Sequence, residues 1–131
     1  MAVQSFRDSI AWRKAMDLAT AVYGVTRPFP REEVFGLTSQ LRRASVSIAS
    51  NIAEGQGRLT TGEFMHFLGM ARGSALEVET QLELAIRLQM GVASDMKAAQ
   101  LSATELVKIL NSILSNMRER KKRELRETSE N

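Results

Sequence analysis

The chain has 131 residues, with 18 Lys and Arg against 15 Asp and Glu, and it contains no cysteine. That length fits a single domain whose core is large enough to fold without a structural metal. The missing cysteine excludes a disulfide framework, Cys-ligated zinc and a thiol nucleophile. The segment MAVQSFRDSIAW has no apolar signal core, and no stretch approaches the roughly 18 apolar residues of a membrane span, so we expect a cytoplasmic protein.

The net charge of +3 is modest, but it is unevenly distributed along the chain. Residues 1–58 carry eight basic and five acidic side chains, and residues 59–117 carry four basic and six acidic ones. Residues 118–131 carry six basic and four acidic side chains. The basic excess therefore lies at both ends of the sequence.

The first predicted helix runs from about Asp8 to Val25. Its predicted core face consists of Trp12, Ala15, Met16, Ala19, Val22 and Tyr23. The helix ends before Pro28 because a residue that precedes proline is displaced from the α region. Pro30 predicts a short helical turn, and Gly36 separates this turn from the second helix.

The second helix is predicted at about 37–56, and it ends near Gly55 and Gly57. The apolar residues recur at helical spacing: Leu37, Leu41, Ala44, Ile48 and Ile52. Around them the helix is dense in small and hydrogen-bonding side chains, with few of the charged residues of an ordinary solvated face. This composition predicts packing on more than one side.

The third helix begins at a capping box in which Thr60 and Glu63 lie three residues apart. Its core residues repeat without interruption at Phe64, Leu68, Ala71, Ala75, Val78, Leu82 and Ala85. The helix is predicted to reach about Met90 and to end at Gly91. Ser94 is the predicted cap of the fourth helix, whose core residues are Met96, Ala99, Ala103, Leu106, Leu110, Ile113 and Met117.

Short connections between long helices give antiparallel neighbours. The sequence therefore predicts an all-α fold, an antiparallel up-down-up-down four-helix bundle over residues 1–117. Residues 118–131 are predicted to form a basic C-terminal helix extension or a disordered tail.

Three parts of the sequence are distinctive enough to carry a family resemblance. They are the segment GLTSQLRRASVSIASNIAEGQGR at 36–58, the downstream segment FLGMARGSALEVETQLELA, and the upstream residues Phe6, Trp12, Lys14, Ala15 and Tyr23. Together they resemble the bacterial four-helix-bundle family whose members are often encoded in intervening sequences of large-subunit ribosomal RNA genes. The resemblance covers residues 5–117 and identifies a fold and an assembly rather than an activity. It implies that five such bundles form a ring.

The outward faces of the first three helices carry apolar and small residues, whereas the fourth helix has an ordinary charged face. Glycine inside a helix costs about 1 kcal/mol relative to alanine, so Gly69 and Gly73 predict the close approach of another backbone. We therefore predict a homo-oligomer, a pentamer by resemblance, with an interface at Ile10, Leu18, Val25, Val46, Ala49, Ala53, Gly69, Gly73 and Leu76. The alternative is that these are scattered surface apolar residues, which are normal.

No catalytic or metal-binding constellation is predicted. Glu63 and His66 have the spacing of a di-metal bundle motif, but His66 is the only histidine and no second pair exists. The serines of the second helix lack a histidine base, and Gly55-Gln56-Gly57 is too short for a phosphate loop. The sequence predicts no enzyme, no cofactor, no metal and no small-molecule substrate.

A polar seam flanks the core face of the second helix, and it consists of Gln40, Arg43, Ser47, Asn51, Glu54 and Arg58. Two interpretations remain open. In one, the seam is an internal hydrogen-bonded network in which Glu54 offsets Arg43 or Arg58 and fixes the register of the bundle. In the other, the two arginines contact phosphate.

The run from Arg118 to Arg126 carries six basic residues in nine. It is either a solvated helix extension or a phosphate-contacting tail. The candidate nucleic-acid-binding residues are Arg43, Arg58, Arg118, Arg120, Lys121, Lys122 and Arg123. No aromatic residue lies nearby for base stacking, so contact with RNA or DNA would be non-specific.

The accessory protein of diversity-generating retroelements resembles this fold, is strongly basic, and partners a reverse transcriptase and nucleic acid. The low net charge of this chain departs from that pattern. Two hypotheses follow: a nucleic-acid- or ribonucleoprotein-associated accessory factor, or an assembly and adaptor protein that binds a protein partner without nucleic acid.

Overall fold

The computed structural model describes residues 5–130, which form four α-helices and two short 3-10 turns. The α-helices are α1 (Ile10–Thr26), α2 (Leu37–Gln56), α3 (Thr61–Arg87) and α4 (Ala93–Glu130). The 3-10 turns are Phe6–Asp8 and Arg31–Glu33, and no strand occurs between residues 5 and 130. The all-α prediction is confirmed.

The helices are arranged around a single core in chain order. Each helix packs against the next one in the chain, and α1 closes the bundle against α4. Within the described residues, the diagonal pairs α1 with α3 and α2 with α4 make no backbone approach. Short connections make consecutive helices antiparallel, so the chain forms the predicted four-helix bundle.

The core is mainly aliphatic and matches the predicted faces of α2 and α3 closely. All five predicted apolar residues of α2 are buried, as are six of the seven predicted residues of α3, with Phe64 half-buried. The Thr60 hydroxyl accepts a hydrogen bond from the Glu63 backbone N–H at 3.1 Å, which confirms the predicted cap. In α4, Leu114 is buried where Ile113 was predicted.

The predicted core face of α1 was wrong by about one residue. Leu18 was placed on the outside as an interface residue, but it is only 1% exposed and lies in the core. Met16 and Tyr23 were placed in the core and are exposed. The helix carries two neighbouring apolar faces, and the true one runs through Ala11, Ala15, Leu18, Val22 and Thr26. Periodicity alone could not choose between them because both have 3–4 spacing.

The second side of α2 packs within the same chain. Ala49 was predicted at an oligomer interface, but it is 5% exposed and buried in the core, and Ser45 beside it is fully buried. The reason is that α2 lies between α1 and α3 and packs against both of them. The small residues of this helix therefore explain two internal contacts and do not require a partner chain.

Helix α3 ends earlier than predicted, at Arg87. Gln89, with φ of 55°, takes the left-handed conformation that commonly ends a helix, two residues before the predicted end at Gly91. Gly91 serves a different purpose, because a Cβ at this position would lie 3.1 Å from the Phe29 ring. The buried Phe29 closes this end of the bundle, so Gly91 permits the close approach of two connections.

Helix α4 continues without interruption from the bundle into the basic segment, up to Glu130. The hydroxyl of Thr61, in the first turn of α3, donates to Glu124 Oε1 at 3.2 Å. The extension therefore lies against the start of α3 at least as far as Glu124. Among the described residues, no helix combines the length and hydropathy needed to cross a bilayer.

Candidate nucleic-acid interface

Six of the seven predicted nucleic-acid-binding residues lie at one end of the bundle. Arg58 lies two residues beyond the end of α2, and residues 118–123 belong to the part of α4 that lies beside the start of α3. A Cβ built on Gly62 would lie 3.2 Å from Lys121 Nζ, which places this amine over the first turn of α3. We call this end, formed by Arg58 and residues 118–126, the basic end.

Arg43 is separate from the basic end. It lies 13 residues before the end of α2, about 20 Å away at 1.5 Å per residue. It lines two shallow depressions, one towards α1 and one towards α3, and its side chain makes no hydrogen bond or ion pair with any residue between 5 and 130. The structure therefore does not bring all seven predicted residues together.

Several cations of the basic end are paired within the chain. Arg58 pairs with Glu54 at 3.5 Å, Arg120 with Glu124 at 3.3 Å, and Lys122 with Glu119 at 3.5 Å. All of these pairs are exposed, and surface pairs contribute little, so their cations stay available to a stronger anion. The cations of this end that pair with no carboxylate in the described chain are Arg118, Lys121, Arg123 and Arg126.

The polar seam is largely satisfied within the chain. Asn51 donates to both the carbonyl and the hydroxyl of Ser47, and the Ser74 hydroxyl of α3 bonds the Ser47 hydroxyl at 3.0 Å. Gln81 of α3 donates to Gln40 at 3.3 Å. These contacts form a network between α2 and α3, which is the first of the two interpretations offered by the sequence. The Glu54 carboxylate forms its ion pair with Arg58 and not with Arg43.

One atom of this network lacks a partner. Gln81 Oε1 is buried and accepts no hydrogen bond from any described residue. It lies in the wall of the shallow depression that Arg43 also lines. The polar side chains of the seam are therefore paired within the described chain, apart from Arg43 and this acceptor of Gln81.

The boundary between α3 and α4 has two distinct halves. In the half nearer the start of α4, the Gln100 amide donates to the Glu79 carbonyl and to Glu83 Oε1, both at 3.1 Å. The hydrogen bond from Gln100, assisted by one from Arg87, lowers the pKa of Glu83 below its ordinary value. Donors and acceptors are therefore matched in this half.

The other half opens into a groove of about 560 Å³, which we call the α3–α4 groove. It is lined by Met65, His66, Gly69, Arg72, Asn111, Leu114 and Arg118. No carboxylate is among these residues. The groove adjoins the basic end through Arg118, which was predicted, and it adds Arg72 and Asn111, which were not.

The sequence carried a usable signal for this groove. Asn111 and Arg118 are seven residues apart, with Leu114 between them, and therefore share one face of α4. Arg72 follows Gly69 by three residues on α3. The two faces could have been paired only with the knowledge that these particular edges of α3 and α4 adjoin.

The two residues whose spacing matches a di-metal motif lie on the surface. Glu63 and His66 are both exposed near the start of α3. Within residues 5–130, no group of three or more His, Cys, Asp or Glu side chains is close enough to hold a metal ion. The His66 ring contacts Phe67 edge-on, with centroids 5.4 Å apart.

The predicted interface residues fall into two groups. Leu18 and Ala49 belong to the core and cannot form an outer surface, because the chain already buries them. Ile10 is 64% exposed, and Val46 and Leu76 are also exposed. The remaining four, Val25, Ala53, Gly69 and Gly73, are half-buried or exposed. A Cβ on Gly69 or on Gly73 would meet no atom within 4 Å, so neither glycine is explained by a contact inside the chain.

Fold and surface together define an all-α four-helix bundle with one basic end. A model of the 23S rRNA-intervening sequence protein family matches residues 7–126, which is most of the chain. The protein belongs to this family.

A solved relative agrees with this assignment. It is the crystal structure of a protein of unknown function from the S23 ribosomal protein family of Bacteroides thetaiotaomicron VPI-5482. The two chains share 26% sequence identity and superimpose with a TM-score of 0.72, covering 80% of this chain and 98% of that one. No curated protein matches the sequence.

Proposed function

We propose that this protein is a non-enzymatic, self-associating bundle that acts as an accessory factor to a nucleic acid or a ribonucleoprotein. The observation that carries the proposal is the grouping of Arg58 with the basic residues of α4 at one end of the molecule. Cationic side chains grouped on one surface attract the phosphate backbone without reading its sequence.

Self-association supports this function because each bundle has only a moderate positive charge. Several copies in one assembly would present several basic ends to the same nucleic acid, and linked weak contacts bind far more tightly than one. The outer faces of α1 to α3 supply apolar surface for assembly, including the exposed Ile10, Val46 and Leu76. The open space at Gly73 leaves room for a neighbouring backbone. The family resemblance favours a pentamer.

Binding is tested by titrating a generic structured RNA with the full chain at several salt concentrations. We expect affinity to fall steeply with salt, because neutralised phosphates release counterions. The variant Lys121→Gln/Arg123→Gln should bind more weakly and with a shallower salt dependence. The matched control, Arg27→Gln/Arg31→Gln, removes the same charge near the opposite end of the bundle. A wild-type protein that binds no RNA at low salt would contradict the proposed function.

Assembly is tested separately by native mass spectrometry. Gly73→Leu should dissociate the oligomer while the helical content is unchanged, because a Cβ at this position meets no atom of the neighbouring helices within 4 Å. Ser112→Leu, on the exposed face of α4, is the control and should assemble normally. A wild-type monomer at micromolar concentration would exclude self-association.

The second candidate is an adaptor that binds a protein partner. It is favoured by two large apolar side chains in connections at opposite ends of the bundle, Phe35 at 94% exposed and Leu59 at 98% exposed. A large aromatic side chain such as Phe35 can anchor a protein contact when a partner buries it. The RNA titration separates the two candidates, since an adaptor of this kind needs no salt-dependent binding to RNA.

A further inference from the structure

The α3–α4 groove combines polar walls with an apolar floor. Its polar lining groups are the side chains of Arg72, Arg118, Asn111 and His66, and its apolar floor includes Met65 and Leu114. The two guanidinium groups carry donors only, and no lining residue supplies a carboxylate. The groove therefore offers positive charge and hydrogen-bond donors to whatever enters it.

Asn111 orients Arg72 across the helix boundary. Arg72 Nε donates to Asn111 Oδ1, which leaves the two terminal nitrogens of the guanidinium free to donate elsewhere. The same bond occupies the amide oxygen of Asn111, so its NH₂ group remains as a further donor. A guanidinium fixed in this way is prepared for the two parallel hydrogen bonds that a phosphate accepts.

The arginines of the groove are among those that lack a carboxylate partner in the described part of the chain. Arg13, Arg58, Arg87 and Arg120 each lie within 4 Å of a carboxylate. Arg72 and Arg118 pair with no carboxylate between residues 5 and 130. Their charge is therefore not offset locally, and it is concentrated in a concave surface where the field is stronger than on an open face.

The shape of the groove suits an extended anion rather than a single ion. Gly69 leaves its side open, since a Cβ there would meet no atom within 4 Å. Lys121 lies one turn beyond Arg118 on α4 and continues the positive charge over Gly62. From Asn111 to Lys121 the track spans about 15 Å of helix, long enough for successive phosphates of one strand.

We propose that the α3–α4 groove binds the phosphodiester backbone of a nucleic acid, with Arg72 and Arg118 as the main contacts. Asn111 is a positioning residue that holds Arg72 and adds a donor. The proposal rests on the proposed function, and it moves the principal contact from the exposed tail to a groove of the bundle itself.

The test compares three proteins in the titration with structured RNA: the wild type, Arg72→Gln/Arg118→Gln, and the charge-matched control Arg27→Gln/Arg31→Gln. We expect the groove variant to bind about tenfold more weakly or worse, with a salt slope lower by about 2, while the control binds nearly as the wild type does. Circular dichroism and native mass spectrometry should show the same helicity and assembly for all three.

A second variant keeps the test decisive if the double substitution disturbs folding. Asn111→Asp preserves the acceptor for Arg72 Nε but adds a carboxylate, so Arg72 becomes paired within the chain. RNA affinity should fall although no cation has been removed, and Asn111→Ser should cause a smaller loss. Equal affinities for wild type and Asn111→Asp would overturn the role of Arg72.

The outcomes separate the groove from the proposed function. If the wild type binds RNA but the groove variant binds equally well, the groove proposal is wrong and the tail carries the contact. If the wild type binds no RNA, both fail. If polyglutamate, but not RNA, binds the wild type and is lost in the groove variant, the groove recognises an acidic protein segment and the proposal is overturned.

Discussion

The two edges of α3 are both polar, yet they differ in whether donors meet acceptors inside the chain. Along the edge with α2, Asn51 and Ser74 both donate to the Ser47 hydroxyl, and Gln81 donates to Gln40. Along the α3–α4 groove, Arg72 donates to Asn111, but no lining residue offers a carboxylate to Arg72 or Arg118. A row of polar residues on a helix therefore says little about binding until its partners are known. The first edge fixes the bundle, and the second is left for an external anion.

Two glycines show the same contrast. Gly55, on the α2 side, lies so close to α3 that a Cβ would be 3.1 Å from both Phe64 and Phe67. Gly69, on the α4 side, has open space at the corresponding position. One glycine is required by internal packing, whereas the other leaves room for something outside the chain.

The largest expected effect comes from adding a side chain at Gly55, where α2 and α3 are in close contact. Gly55→Leu forces a side chain against the two phenylalanines, and overpacking of this kind costs about 1–3 kcal/mol. Urea denaturation should show this loss in the free energy of unfolding. Gly57→Leu is the control, because its Cβ would make only ordinary contacts, the nearest at 3.5 Å. Equal stability of the two variants would mean that α2 and α3 are not closely packed there.

A smaller effect is expected from the seam itself. Ser74→Ala removes the hydrogen bond to Ser47 and should cost about 1 kcal/mol of the free energy of unfolding. RNA affinity should not change, because Ser74 is uncharged and lies buried between α2 and α3, away from the basic end. The exposed Ser112→Ala serves as the control for stability. A loss of RNA binding in Ser74→Ala without loss of structure would contradict the assignment of the seam to the bundle.

A substitution at Gly69, on the α3–α4 groove, should raise the free energy of unfolding instead of lowering it. Gly69→Ala adds a methyl group in open space and improves helix propensity, so the free energy of unfolding should rise by about 0.5–1 kcal/mol. Thermal and urea denaturation would measure the increase. A destabilised Gly69→Ala would reveal a close neighbour, and a destabilisation that vanishes on dilution would identify that neighbour as another subunit.

The smallest effect concerns pH and the satisfied half of the α3–α4 boundary. Since the folded state lowers the pKa of Glu83 from its ordinary 4.5, the contribution of this carboxylate is present above that pH. It is lost as the pH falls through the lowered pKa. The difference in unfolding free energy between the wild type and Glu83→Gln should therefore shrink on acidification. A difference that grows below pH 4.5 would contradict the direction of the shift.

The sequence alone determined the elements whose signals are local. The interruptions at Pro28 and Gly36, the cap at Thr60 and the single uninterrupted core faces of α2 and α3 depend on residues within a few turns of one another. For these, the bounds of α2, the start of α3 and most of the predicted buried residues agree with the structure, whereas α3 ends at Arg87 and not near Met90. The family could also be recognised, because the sequence segments that carry the resemblance are long and contiguous.

Only the tertiary structure decided which of several equivalent faces each helix buries and what meets it there. Leu18 and Met16 both belong to plausible apolar faces of α1, and the positions of α2 and α4 selected the first. Arg72 and Asn111 lie 39 residues apart and gain a shared meaning only where α3 and α4 adjoin. Helical periodicity shows which residues of one helix share a face, whereas the pairing of two faces is a property of the packed bundle.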